Sequence, residues 1–157
     1  MKNPKISKKA SANRKNLKYI IDGFSFDSLP EFCFYVCCKD FHINVQCHPT
    51  DKTISYLDDL GNTHNYFPDF YIEKIGLIEI KGDHYFKDRN PTKPITYEIF
   101  NNDDDRHISK CKYEAMKKHN VLILSSIRYM KYVKRVKRKY GNKWILQYKS
   151  KVKQREK

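Results

Sequence analysis

The chain has 157 residues and a formal net charge of +14. One domain is expected at this length, and 39% hydrophobic with 14% aromatic residues suffices for a folded core, which excludes a disordered polymer. No apolar run approaches the roughly 18 residues of a bilayer span. Near the N-terminus lysines occur without an apolar signal core, so the charge points to a polyanion, nucleic acid first.

Residues 1–18 are expected to form a basic flexible tail; six basic and no acidic residues fall within 1–16. Residues 19–148 would be the folded domain, and 149–157 a second basic tail. Asp27 or Ser28 caps a helix over Pro30–Lys39, with Pro30 in its first turn and Glu31 behind it. Ile43–Cys47 and Thr53–Leu57 alternate like strands, Asp58–Asn62 reads as a turn, and His64–Ile72 and Gly76–Lys81 read as two further strands. Residues 83–103 hold prolines, Asn and Asp and are expected to be a long loop beside the site. A helix then runs to about His119, Val121–Leu124 makes a short central strand, and Arg128–Tyr140 is an amphipathic helix ended by Gly141. Trp144–Tyr148 reads as an edge strand.

Five cysteines (33, 37, 38, 47 and 111) are an odd number, read as reduced thiols in a cytoplasm, bacterial or of a virus-infected host. Together with His42 and His48 they match no paired zinc spacing, so they are assigned to the core.

The chemistry is concentrated in Tyr66–Gly82. Two apolar segments carry charge where a buried sheet rejects it: Asp69 in the first, Glu79 and Lys81 in the second. Strand alternation puts Glu79 and Lys81 on one face and Ile78 and Ile80 on the other. A short turn between Ile72 and Gly76 brings Asp69 beside Glu79. Two carboxylates and a lysine at one point suit phosphodiester hydrolysis, which needs a nucleophile, neutralised phosphoryl oxygens and help for the leaving oxygen. In this scheme Asp69 and Glu79 hold Mg²⁺ through hard oxygens, the Ile80 carbonyl adds a ligand, and Lys81 orients the attacking water. Glu31 adds a carboxylate, the fourth ionisable group, from the first helix and serves a second metal. An ordinary surface hairpin with one salt bridge is the competing structural account.

Pro68-Asp69, a gap of ten to Glu79, then Ile80 and Lys81, resembles the Pro-Asp…(Asp/Glu)-x-Lys signature of the restriction-endonuclease-like nuclease superfamily. The resemblance covers roughly residues 28–126 and is nearest in character to the small basic phage Holliday-junction resolving endonucleases. It implies an α/β fold with a central mixed four- to five-stranded sheet flanked by helices, in the order αβββαβ. It also implies Mg²⁺-dependent DNA cleavage (Mn²⁺ substituting), with Asp69, Glu79 and Lys81 as the triad and Glu31 as the helical acid. A homodimer would give one active site per DNA strand. Two departures stand out: residues 83–103 are longer than that group's loop, and the basic Arg128–Tyr140 helix would equally suit a homing, mismatch-repair or transposon-end nuclease.

Around the triad, Asp83 and His84 are expected to line the site. Lys110 and Lys112 on the following helix, and Lys131, Lys134, Arg135 and Arg138 on the basic helix, are expected to meet the DNA backbone. A non-catalytic basic nucleic-acid-binding protein is the alternative function, with an RNA-binding accessory protein behind it.

Overall fold

The computed structural model describes residues 17–82 and 103–151. The expected long loop up to 102, the N-terminal tail to 16, and Asp83 and His84 lie outside the described residues. In chain order the elements are β1 (Leu17–Ile21), β2 (Phe24–Phe26), α1 (Leu29–Asp40), β3 (Gln46–Cys47), a 3₁₀ turn (Thr50–Lys52), β4 (Ile54–Leu57), β5 (Thr63–Tyr66), β6 (Phe70–Ile72) and β7 (Gly76–Ile80). They continue with α2 (Asp103–Lys118), β8 (Leu122–Leu124), α3 (Ser126–Tyr140), α4 (Asn142–Gln147) and β9 (Lys149–Lys151). The fold is mixed α/β, with four helices and three separate sheets among the described residues and no closed barrel. No helix of the described residues is long and apolar enough to cross a membrane.

The sheet that matters for the site has the order β3-β6-β7-β8. β6 and β7 form an antiparallel hairpin, and β8 joins β7 in parallel after α2 crosses over. β7 obeys the expected alternation. Ile78 and Ile80 enter the main core with Phe70 and Leu124, while Leu77 faces a second, smaller cluster built on Ile54, Tyr66 and Met116. α1 is buried along most of its length, from Glu31 to Cys38, and packs against α3 and the aromatic side chains Phe26 and Phe70. Four of the five cysteines are thiols in this main core.

Several expectations are corrected. His64–Ile72 is not one strand: the chain breaks at Phe67–Asp69, so β5 pairs with β4 in a hairpin of its own and β6 joins the other sheet. Pro68 has no N–H to give a ladder and fixes its own φ, which is where the strand changes partner. Ile43–Cys47 shortens to Gln46–Cys47. Among the described residues β8 lies at the edge of its sheet rather than at the centre. Trp144–Tyr148 is largely the short helix α4, because Tyr140, Trp144 and Tyr148 recur every four residues and their rings touch: Tyr140 and Trp144 stack at 4.1 Å. An additional sheet, β2-β1-β9, begins at Leu17 and ends at Lys151, so its strands reach into both segments expected to be tails.

Candidate active site at the β6–β7 hairpin

The hairpin sets the geometry. Ile72 pairs with Gly76, Tyr71 with Leu77 and Phe70 with Ile78, so the next position along the ladder is Asp69 opposite Glu79. Gly76 has φ +101°, a conformation L residues rarely adopt, and it lets the chain re-enter the ladder after three turn residues. Asp69 is half-buried. Its Oδ2 accepts the Ile80 N–H at 2.7 Å, and its backbone carbonyl accepts the His48 N–H at 2.9 Å. Its Oδ1 accepts no hydrogen bond among the described residues. The Asp69 carboxyl is pushed up to about 8, first by burial, then by the negative charges of Glu79 and Glu31; the Ile80 N–H and the Lys81 cation work the other way.

Glu79 is buried, and both of its oxygens are engaged. Oε1 pairs with Lys81 Nζ at 2.5 Å, and Oε2 accepts the Tyr66 O–H at 2.6 Å. Burial and the Glu79 charge raise the Tyr66 pKa far above the ordinary phenol range, so the phenol is a fixed donor. Lys112 reaches the same place from α2, with its Nζ 4.7 Å from the centre of the Tyr66 ring. Its pKa is lowered by burial and by Lys81, against the pull of Glu79 and Asp69.

Asp69, Glu79, Lys81 and Lys112 are therefore brought together, and Glu31 is close enough for its charge to act on Asp69. Glu31 also has a structural task. Ser28 caps α1, the Glu31 N–H donates to Ser28 Oγ at 3.3 Å, Ser28 Oγ donates to Glu31 Oε1 at 2.7 Å, and the Asp27 N–H donates to Oε2 at 3.1 Å. That is a variant of the capping box, in which the carboxylate takes the N–H of Asp27, one residue before the cap, in place of the cap's own. Burial raises the Glu31 pKa.

The two lysines on α2 separate: Lys112 enters the cluster and Lys110 is exposed. On α3, Val133 and Val136 face the core, while Lys131, Lys134 and Arg138 are exposed. Arg135 differs from them. It is half-buried over the Phe41 ring at 4.3 Å, and its buried Nε has no hydrogen-bond partner among the described residues. It packs where α3 meets the C-terminal end of α1.

The donor set suits a hard divalent cation: two adjacent carboxylates, one oxygen of Asp69 still open, and a buried setting that charges Asp69 only at cost. Among the described residues, no three His, Cys, Asp or Glu side chains yet form a ready-made metal cluster. Both Glu31 oxygens already accept hydrogen bonds at the start of α1, so Glu31 could add to Asp69 and Glu79 only through the lone pairs left over. Tyr66 has no sequence signal beyond that of a core aromatic, since its functional atom is one phenolic oxygen on a strand assigned to a different sheet. Comparison with protein-family models, curated proteins and solved structures returned no match to this chain.

Proposed function

We propose that this protein is a Mg²⁺-dependent endodeoxyribonuclease that hydrolyses DNA phosphodiester bonds, with Mn²⁺ able to substitute. The observation that carries the reading is the meeting of Asp69, Glu79 and Lys81 at the open end of the β6–β7 hairpin. A divalent ion held by Asp69 and Glu79, with the Ile80 carbonyl as a further oxygen, would supply charge neutralisation on the phosphate and a more acidic water. The chain's own groups do the remaining work. Lys81, tethered to Glu79, orients the attacking water and meets negative charge as it develops. Lys112 offers a second cation to the phosphoryl oxygens, held in place by the Tyr66 ring. Lys131, Lys134 and Arg138 on the exposed face of α3 contact the DNA backbone.

The same signature and the order of α1, the β6–β7 hairpin, the α2 crossover and the parallel β8 support a restriction-endonuclease-like core. Within that class, branched or junction DNA is the proposed substrate. A homodimer acting in the cytoplasm of a bacterium or an infected host cell is the proposed setting. The test is cleavage of linear, supercoiled and four-way-junction DNA with Mg²⁺ or with chelator. Cutting by the wild type should vanish with chelator and in Glu79→Ala and Lys81→Ala, while DNA binding persists. Equal cutting by wild type and both variants would assign the activity to a contaminant and reject the reading. A non-catalytic DNA-binding protein is favoured by one observation, the capping box that occupies Glu31. It predicts binding without cleavage, and an Asp69→Asn variant altered only in stability.

A further inference from the structure

Glu79 is held at both oxygens, and the two holders come from different places. Lys81 lies two residues along the same strand direction, so alternation puts it on the same face as Glu79. Tyr66 comes from the β4–β5 hairpin, which shares no backbone ladder with β7. The Tyr66 ring is almost wholly buried in the small cluster with Ile54 and Met116, packed against Leu77 and Ile123. Its position is therefore set by packing between β4, α2, β7 and β8 rather than by the alternation that places Lys81. Lys112 lies over the same ring. A buried carboxylate bonded at a single oxygen can still rotate about its last torsion; one bonded at both oxygens cannot without breaking a bond.

We propose that Tyr66 is a positioning residue of this site: its O–H fixes the rotation of the Glu79 carboxylate, so that the lone pairs left over point towards the open oxygen of Asp69. The inference rests on the nuclease reading and deepens it. The small cluster around Met116 then has a purpose beyond stability, since it anchors the phenol. Groups that orient metal-binding carboxylates typically change metal affinity or activity by roughly 10- to 100-fold when removed.

The decisive comparison is Tyr66→Phe against Val136→Ala. The first keeps the ring and removes one oxygen; the second thins the main core, which does not include Tyr66, and lowers stability away from the Glu79 carboxylate. Mn²⁺ binding is followed by calorimetry, cleavage is followed as a function of Mg²⁺ and DNA concentration, and melting is recorded for all three proteins. Tyr66→Phe should weaken Mn²⁺ binding about tenfold, raise the Mg²⁺ needed for half-maximal cleavage and lower kcat, with KM for DNA unchanged. Val136→Ala should melt earlier with an unchanged Mg²⁺ requirement. If wild type cleaves and Tyr66→Phe matches it in metal binding and kcat, the positioning role is overturned while the nuclease reading stands. If both variants shift the metal requirement equally, Tyr66 is a packing residue and the positioning role is likewise overturned. A wild type that neither binds Mn²⁺ nor cleaves removes the nuclease reading itself, and the positioning role with it.

Discussion

Metal binding at the hairpin should release a proton, and the size of the effect follows from Asp69. Burial, Glu79 and Glu31 hold its carboxyl protonated up to about pH 8, against the Ile80 N–H and Lys81. A cation needs the ionised form, so below that pH each ion bound displaces nearly one proton. The apparent affinity should then fall about tenfold per pH unit, or about two orders of magnitude from pH 8 to pH 6, equivalent to about 2.7 kcal/mol. Calorimetry with Mn²⁺ in buffers of different ionisation enthalpy counts the proton directly, and Asp69→Asn should bind weakly with no such slope. The metal-free protein gives the complementary sign. Asp69 is raised from an unfolded value of roughly 3.9, so the stability it contributes is complete below that pH and is lost as pH rises through about 8. The melting temperature without metal should decline across that window, and added Mn²⁺ should restore most at its upper end. An affinity independent of pH between 6 and 8, with no proton released, would refute the placing of Asp69 against Glu79 in a shared electrostatic site.

The basic face of α3 makes a second expectation. Replacing Lys131, Lys134 and Arg138 with alanine should flatten the slope of log affinity against log salt by about 0.9 for each phosphate of duplex DNA no longer neutralised, and an unchanged slope would remove α3 from the interface. Arg135→Ala should act differently, lowering stability because its packing on Phe41 is removed, with little change in that slope, as read by urea melts beside the binding assay. Tyr140→Phe tests the tie between the C-terminal ends of α1 and α3. Asp40 Oδ1 accepts both the Tyr140 O–H at 2.5 Å and the Lys139 ammonium at 2.9 Å, while Oδ2 has no hydrogen-bond partner among the described residues. Removing the phenol should cost about 1–2 kcal/mol in denaturant melts and leave the metal requirement of cleavage unchanged.

Much of the site is legible in the sequence because its determinants are local. Alternation fixes which faces Glu79, Lys81 and Ile80 occupy, and a short turn ending at Gly76 fixes which residue faces Glu79. The fold away from the site is less legible. β1 and β9 pair Leu17 with Lys151, and strands so short and so far apart in sequence leave no periodic trace. α4 hides for another reason: Trp144 and Ile145 look like strand residues by propensity, but the ring stacking with Tyr140 and Tyr148 makes the helical spacing the better packed choice.

Glu31 shows where local reasoning and site chemistry compete for one side chain. Its position three residues after Ser28 is a capping-box spacing, and both of its oxygens serve that box. The same carboxylate raises the Asp69 pKa from the α1 side. A Glu31→Gln variant separates the two tasks, because the amide keeps one carbonyl acceptor for the box but loses the charge felt by Asp69. If the charge is what matters to the site, Glu31→Gln should lower the pH at which Mn²⁺ binding loses its proton-coupled slope, while its helix content by circular dichroism stays near wild type. If the box is all that Glu31 provides, stability should fall with the slope unmoved, and the helical acid then belongs to the architecture of α1 and not to the metal site.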